Sequence, residues 1–136
     1  MEVKELKKIA NDNRKRIVDM VYRAKVGHVG GALSVIDLVT AISELDIDYS
    51  SPNRSRIVLS KGHACPALYA ELVQKGILEE SELNTFRRLN SRLQGHPYTQ
   101  DIPELDATTG LLGQGFSMAV GMAIVKKQYD KDHRVY

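Results

Sequence analysis

Three of the four histidines in this chain follow a glycine directly: Gly27-His28, Gly62-His63 and Gly95-His96. With glycine near 7% of average composition, chance gives such a set only roughly a few times in a thousand, so the pairing points to a shared use. An imidazole donates to phosphate or hydroxyl oxygens and exchanges a proton near neutral pH. A glycine beside it lets the backbone turn sharply and keeps bulk away from the ring. Three such histidines converging from separate loops would recognise an oxygen-rich ligand. His133 lacks the preceding glycine and reads as a surface residue.

The stretch from Arg92 to Gly121, RLQGHPYTQDIPELDATTGLLGQGFSMAVG, carries the last of these pairs. It opens on Gly95-His96-Pro97, passes through a long polar loop and reaches Gly110-Leu111-Leu112-Gly113-Gln114-Gly115. A small-residue apolar helix over 116–125 is expected next, with its unpaired N–H groups directed back at the loop. Loops this long inside a compact domain are functional or disordered, and the apolar helix behind this one argues against disorder. The order G-x-x-G-x-G after a polar loop is not the dinucleotide fingerprint, which reads G-x-G-x-x-G after a strand. A zinc site of three histidines lacks the His-x-x-x-His or His-x-His spacing. Cys65 as a thiol nucleophile beside His63 is disfavoured, because residues two apart at a helix start do not face each other. It reads as a small buried residue.

The elements that must position these groups read as helices joined by short strands. Val3, Leu6, Ile9, Ala10, Ile17, Val21 and Ala24 recur at three- and four-residue spacing and predict a helix over 3–25, ended by Gly27. A second helix is predicted from Ser34, paired with Asp37 as a cap, with Leu38, Val39, Ala41, Ile42 and Leu45 buried. Residues 46–55 read as a loop. Arg56-Ile57-Val58-Leu59 has the signature of a buried parallel strand. Ser60-Lys61-Gly62-His63 turns at its carboxyl end, where α/β proteins bind ligands. Pro66 fits the first turn of the next helix, which runs to Gly76. Ser81 with Asn84 predicts a further helix through Phe86 and Leu89, and residues 133–136 read as the start of another strand. The expected class is α/β, a parallel sheet flanked by helices, with a mainly helical fold as the alternative because only one strand is well supported, and a chain stopping at the start of a strand is expected to be a fragment.

The 136 residues, 43% hydrophobic and 26% charged, suit one globular domain with its own core. A net charge of +2 is too small to argue for nucleic acid or a membrane surface. Lys4, Lys7, Lys8, Arg14, Lys15 and Arg16 are interleaved with Glu2, Glu5 and Asp12, as on a solvated helix face. The single cysteine excludes an internal disulfide and a CxxC metal site, and suits a reducing cytoplasm. The first residues are charged where a signal peptide needs an apolar core, and no apolar run approaches a membrane span. A cytoplasmic location is therefore expected.

Taken in order, Gly27-His28-x-Gly30, Leu59-Ser60-Lys61-Gly62-His63, Leu93-Gln94-Gly95-His96-Pro97 and Thr108-Thr109-Gly110-Leu111-Leu112-Gly113-Gln114-Gly115, then Ala119-Val120-Gly121-Met122-Ala123, form a specific set. This set resembles the amino-terminal part of transketolases, above all the amino-terminal subunit of split transketolases of archaea and bacteria. The resemblance implies the thiamin-diphosphate-binding fold. It also implies transfer of a two-carbon ketol unit from a ketose phosphate to an aldose phosphate, chemistry of the pentose phosphate pathway, with the thiazolium ring storing the electrons. By the same resemblance His63 contacts the cofactor diphosphate, and His28 binds substrate and is needed for activity. His96 would hydrogen-bond the donor's hydroxyls near the reacting carbon. Gly110, Leu111 and Leu112 would hold the cofactor in its bent form.

Residues 1–136 would then be the amino-terminal portion of a single diphosphate-binding domain, ending before the family's Gly-Asp-Gly motif. That motif holds Mg2+ or another divalent cation, so no metal ligand is assigned within this chain. The activating glutamate lies in the family's other half. The implied partners are sugar phosphates and a C-terminal transketolase subunit or region, in a homo- or hetero-oligomer such as a dimer, and this chain alone is expected to be inactive. Val29, Leu111 and Tyr98 depart from the family, where proline, proline and an acidic residue are common, and leave the donor sugar open. Two other readings are a relative of deoxyxylulose-phosphate synthase and a non-catalytic interaction module that keeps the fold. The latter would follow from the apolar strand edge and helix faces that a cut α/β domain exposes.

Overall fold

The computed structural model describes residues 1–136. Helix α1, Val3–Ala24, begins with a reciprocal cap between Glu2 and Glu5, in which the Glu2 N–H donates to Glu5 Oε2 at 3.0 Å. Ala10, Asn13, Ile17 and Met20 form its buried stripe, at the three- and four-residue spacing of one helix face. The helix ends at Lys25 rather than at Gly27: Lys25 takes the left-handed cap position (φ 57) and lays its ammonium 3.7 Å from the centre of the Tyr22 ring.

The second predicted helix forms, two residues later than Ser34, and a short helix that was not predicted comes before it. The short helix is α2, Val29–Leu33, and the predicted one is α3, Ile36–Asp46. Ser34 does not cap α3, because its hydroxyl donates back to the Gly31 carbonyl (2.9 Å) and accepts from Lys61 Nζ (2.7 Å). The buried face of α3 is also rotated from expectation. Ile36, Val39, Thr40 and Ser43 point inward, while Leu38 and Leu45 are exposed. The reason is polar. Thr40 turns inward to donate to Glu71 (3.0 Å), and Asn13 of α1 donates to the same oxygen (2.7 Å).

Glu71 belongs to α4, Pro66–Gln74, the central helix, whose residues from Pro66 to Leu72 are all buried. Pro66 opens it and its missing N–H costs nothing in the first turn. The helices α1 and α3 pack against it, and Ile17, Met20, Ile36, Leu68, Leu72 and Phe86 join in one core. The element predicted from Ser81 is a single 3-10 stretch, Glu80–Thr85, capped by the Glu79–Glu82 pair, and Leu89 lies outside it, exposed.

The expected parallel sheet is reduced to one bridge, between Arg56 and Val135. Arg56 N–H donates to Arg134 O (2.8 Å), Tyr136 N–H to Arg56 O (2.9 Å) and Val58 N–H to Tyr136 O (2.9 Å). Ile57, whose N–H alternates to the other side, finds the carboxylate of Asp106 (2.9 Å) instead of a neighbouring strand. That is why no ladder grows in that direction. Helix α5, Gln114–Tyr129, is longer at both ends than predicted, and only Gly115 of it is buried. Phe116, Ile124 and Tyr129 are exposed on it. No helix is long and apolar enough to cross a membrane.

Candidate functional site

His28 lies between α1 and α2, and His63 in the 3-10 turn Gly62–Ala64 that follows the extended residues 56–59. The two rings meet edge to face, with centroids 4.8 Å apart. Gly31 sits against this pair, close enough that a Cβ there would be 3.9 Å from His63 Nε2. Lys61, held by Ser34, adds a cation next to His63. His28, His63 and Lys61 thus form a set of donors suited to phosphate oxygens.

The next loop is brought in by a close approach of backbones. A Cβ on Gly62 would lie 2.7 Å from the Thr109 carbonyl oxygen, a separation that only glycine permits. Thr109 also donates its hydroxyl to Leu59 O at 2.8 Å. Gly110 follows, and a Cβ there would be 3.9 Å from the His96 ring. His28 and His63 therefore touch, and His96 is linked to them through Thr109 and Gly110. The start of α5 is set by Gly113 (φ 90), which no β-branched residue would adopt comfortably. It docks on Ser60, whose Oγ accepts the Phe116 N–H at 3.1 Å.

Side chains rather than a ladder hold the long loop. Asp106, its side chain almost fully buried, accepts from Arg54 (3.0 Å), from Arg56 (2.9 Å) and from the Ile57 N–H (2.9 Å). Arg54 further donates to Glu104 O (2.7 Å). The carbonyls around His96 are fixed from beneath by α4. The Tyr69 hydroxyl donates to Gln94 O (2.9 Å) and His96 O (3.2 Å), and the Cys65 thiol leans on Gln94 O (3.4 Å). Burial pushes the Cys65 thiol up to about 12 and also raises the Tyr69 hydroxyl. Cys65 is thus a packed anchor, not a nucleophile.

Of the residues singled out in the sequence, His28 and His63 meet, and Gly110 lies against His96, the two pairs being joined only through Gly62 and Thr109. Leu111 and Leu112 do not pack within the chain and remain largely exposed beside the group. No group of three or more histidine, cysteine or acidic side chains is placed to hold a metal ion. Asp106 and Tyr69 were not legible as site-builders, because a lone Asp in a polar loop or a Tyr on an apolar helix face carries no spacing signal.

The chain is similar to known proteins along nearly its whole length. The family model described as "Transketolase, thiamine diphosphate binding domain" matches residues 5–134. One subunit of an apulose-4-phosphate transketolase from Phocaeicola vulgatus is 40% identical over 100% of this chain and 50% of its own length. One subunit of a 6-deoxy-6-sulfo-D-fructose transketolase from a Clostridium species is 39% identical over 97% of this chain and 50% of its own. The solved transketolase of Campylobacter jejuni superposes on 100% of this chain and 23% of its own, with TM-score 0.87 and 33% identity. The chain spans about half the length of the two subunits it matches.

Proposed function

The chain belongs to the transketolase family through its thiamin-diphosphate-binding domain, and from that premise we propose that it contributes the diphosphate-binding portion of an enzyme transferring two-carbon ketol units between sugars. The observation that carries the reading is the His28–His63 ring contact, with Thr109-Gly110 locked against Gly62. Separate motifs thereby become one surface of donors. When bound, thiamin diphosphate supplies a nucleophilic carbon and an electron sink. His63 would contact the diphosphate, and the Gly110–Leu112 loop would hold the cofactor in its bent form. The exposed Leu111 and Leu112 side chains offer apolar cover to the rest of the cofactor. His28 and His96 donate to substrate oxygens, and His96 orients the donor's hydroxyls near the reacting carbon.

Residues 1–136 contribute the amino-terminal portion of that domain. Mg2+ or another divalent cation is held by residues outside this chain, and the activating glutamate comes from a C-terminal transketolase subunit or region. The working form is a homo- or hetero-oligomer in the cytoplasm, and this chain alone does not turn over. The substrates are oxygen-rich sugars carrying a phosphate or a similar anion, as the names of the two split-subunit relatives suggest. Combining the complete subunit with its partner, thiamin diphosphate and magnesium should give ketol transfer from a ketose phosphate. Calorimetry should show cofactor binding that needs the metal. Cofactor binding without transfer would leave only the fold assignment, and no binding at all would favour a non-catalytic interaction module.

A further inference from the structure

Arg87 is one of three non-glycine residues in the left-handed region, with φ 59. Such residues are uncommon, are enriched in Asn, Asp and His rather than Arg, and cluster at functional sites. Its N–H donates to Leu93 O at 2.8 Å, which closes the 87–93 segment and turns the side chain toward the following loop. There the guanidinium lies over Gly95. A Cβ on Gly95 would come within 2.9 Å of Arg87 Cζ and 3.0 Å of Nε and Nη2. Gly95 itself is not in the left-handed region. Its lack of a side chain serves the arginine above it rather than a backbone turn.

Of the arginines around it, Arg92 pairs with Glu82 at 2.8 Å and Arg16 with Glu80 at 2.9 Å, while the exposed Arg88 does not line the His96 cleft. Arg87 pairs with no carboxylate. Together with Gln94, Gly95, His96, Tyr98 and Thr108 it lines a cleft of about 420 Å³. A planar guanidinium fork beside an imidazole matches vicinal hydroxyls and phosphate oxygens. We propose that Arg87 is a further donor-binding residue of the His96 cleft, its guanidinium seated over Gly95 to take oxygens of the ketose. This rests on the transketolase reading and adds a residue that none of the sequence motifs includes.

The test uses the complete subunit in complex with its partner, thiamin diphosphate and magnesium. Donor affinity is measured by calorimetry and by KM for a ketose phosphate and for the same ketose without phosphate. Arg87→Met should weaken donor binding roughly tenfold to a hundredfold, the scale of one lost charge-assisted hydrogen bond. Cofactor affinity and Tm should stay unchanged. Gly95→Ala should do the same, because the new methyl displaces the guanidinium, a flexible end that yields without unfolding the loop. The double variant should be no worse than Arg87→Met alone. A loss confined to the phosphorylated ketose assigns Arg87 to the phosphate, and a loss with both sugars assigns it to the hydroxyls. The proposal is overturned if Arg87→Met leaves donor affinity within about twofold, a change too small for a lost charged hydrogen bond. It is equally overturned if donor affinity, cofactor affinity and Tm fall together, or if the two substitutions multiply. An unmodified assembly that binds no ketose overturns the transketolase reading and this proposal with it, whereas one that binds normally alongside an unaffected Arg87→Met overturns this proposal alone.

Discussion

The three glycine–histidine pairs use glycine for three different physical reasons. Gly27 has φ 150, where side chains are strained. Gly62 meets the Thr109 backbone, which cannot give way, and Gly95 makes room for the Arg87 guanidinium, which can. Only the pairing was visible in the sequence; the reasons depend on what lies opposite each glycine. The histidines divide in a similar way. His63 shares its ring contact with His28 near Lys61, whereas His96 faces the Arg87 cleft. In the assembled enzyme His63→Ala should therefore weaken thiamin diphosphate binding more than His96→Ala does. His96→Ala should mainly raise donor KM and slow donor use. Calorimetry for the cofactor and steady-state kinetics for the donor would check this, and the opposite order would mean the two roles are exchanged.

Among the elements, the segment 54–59 and the loop 104–109 run side by side with side chains doing what a strand ladder does elsewhere. Asp106 takes three donors at one end and Thr109 reaches Leu59 O at the other. The loop's far end carries Gly110 to the histidines, so the clamp sets the site's width. Asp106→Asn removes the charge opposite two guanidinium groups, one of them nearly buried. Breaking one side of a buried pair leaves the other uncompensated, and a loss of about 3 kcal/mol is expected. The measurement is the urea midpoint at constant m-value, and a loss below about 0.5 kcal/mol, the range of an ordinary surface change, would show that the clamp does not hold the loop. The rotation of α3 has a similar lesson. Hydrophobic spacing alone favoured Leu38 and Leu45 as buried, and a hydrogen bond to Glu71 decided otherwise.

At the scale of the whole molecule, the core is built around an ionisable group. Glu71 is buried among α1, α3 and α4; its Oε2 is hydrogen-bonded, while its Oε1 and the nearby Ser43 Oγ have no partner. Burial pushes its carboxyl up to about 7 from 4.5, with Glu44 adding to the rise and the Thr40 hydroxyl opposing it. Glu44 is itself paired with Lys75 at 3.2 Å. The folded state therefore favours the protonated form. The stabilisation from this group is complete below the unfolded value of 4.5 and is lost as pH rises through about 7. Glu71→Gln keeps the Oε2 contacts and offers an amide N–H toward Ser43. Relative to the unmodified chain, its advantage in stability should grow from near zero in mild acid to on the order of 3 kcal/mol at about pH 8. Denaturation midpoints across that range would check it, and parallel pH profiles would show that Glu71 does not titrate there. The molecule also leaves α5 uncovered, with Phe116, Ile124 and Tyr129 exposed. These side chains point out on different sides of the helix rather than forming one face.

The sequence alone determined the residue types that meet at the site and the family they belong to, because glycine–histidine pairs and the Gly110–Gly115 run are local patterns whose chemistry is written in neighbouring letters. It also set α1, since three- and four-residue spacing is a property of one segment. The tertiary structure alone decided which oxygens and nitrogens face one another across distant segments: Asp106 against Arg54 and Arg56, Thr109 against Gly62, Arg87 over Gly95 and Glu71 between Asn13 and Thr40. Each of these joins residues from different loops or helices. Their strength depends on burial and on separations of about an ångström, quantities that no one-dimensional spacing contains.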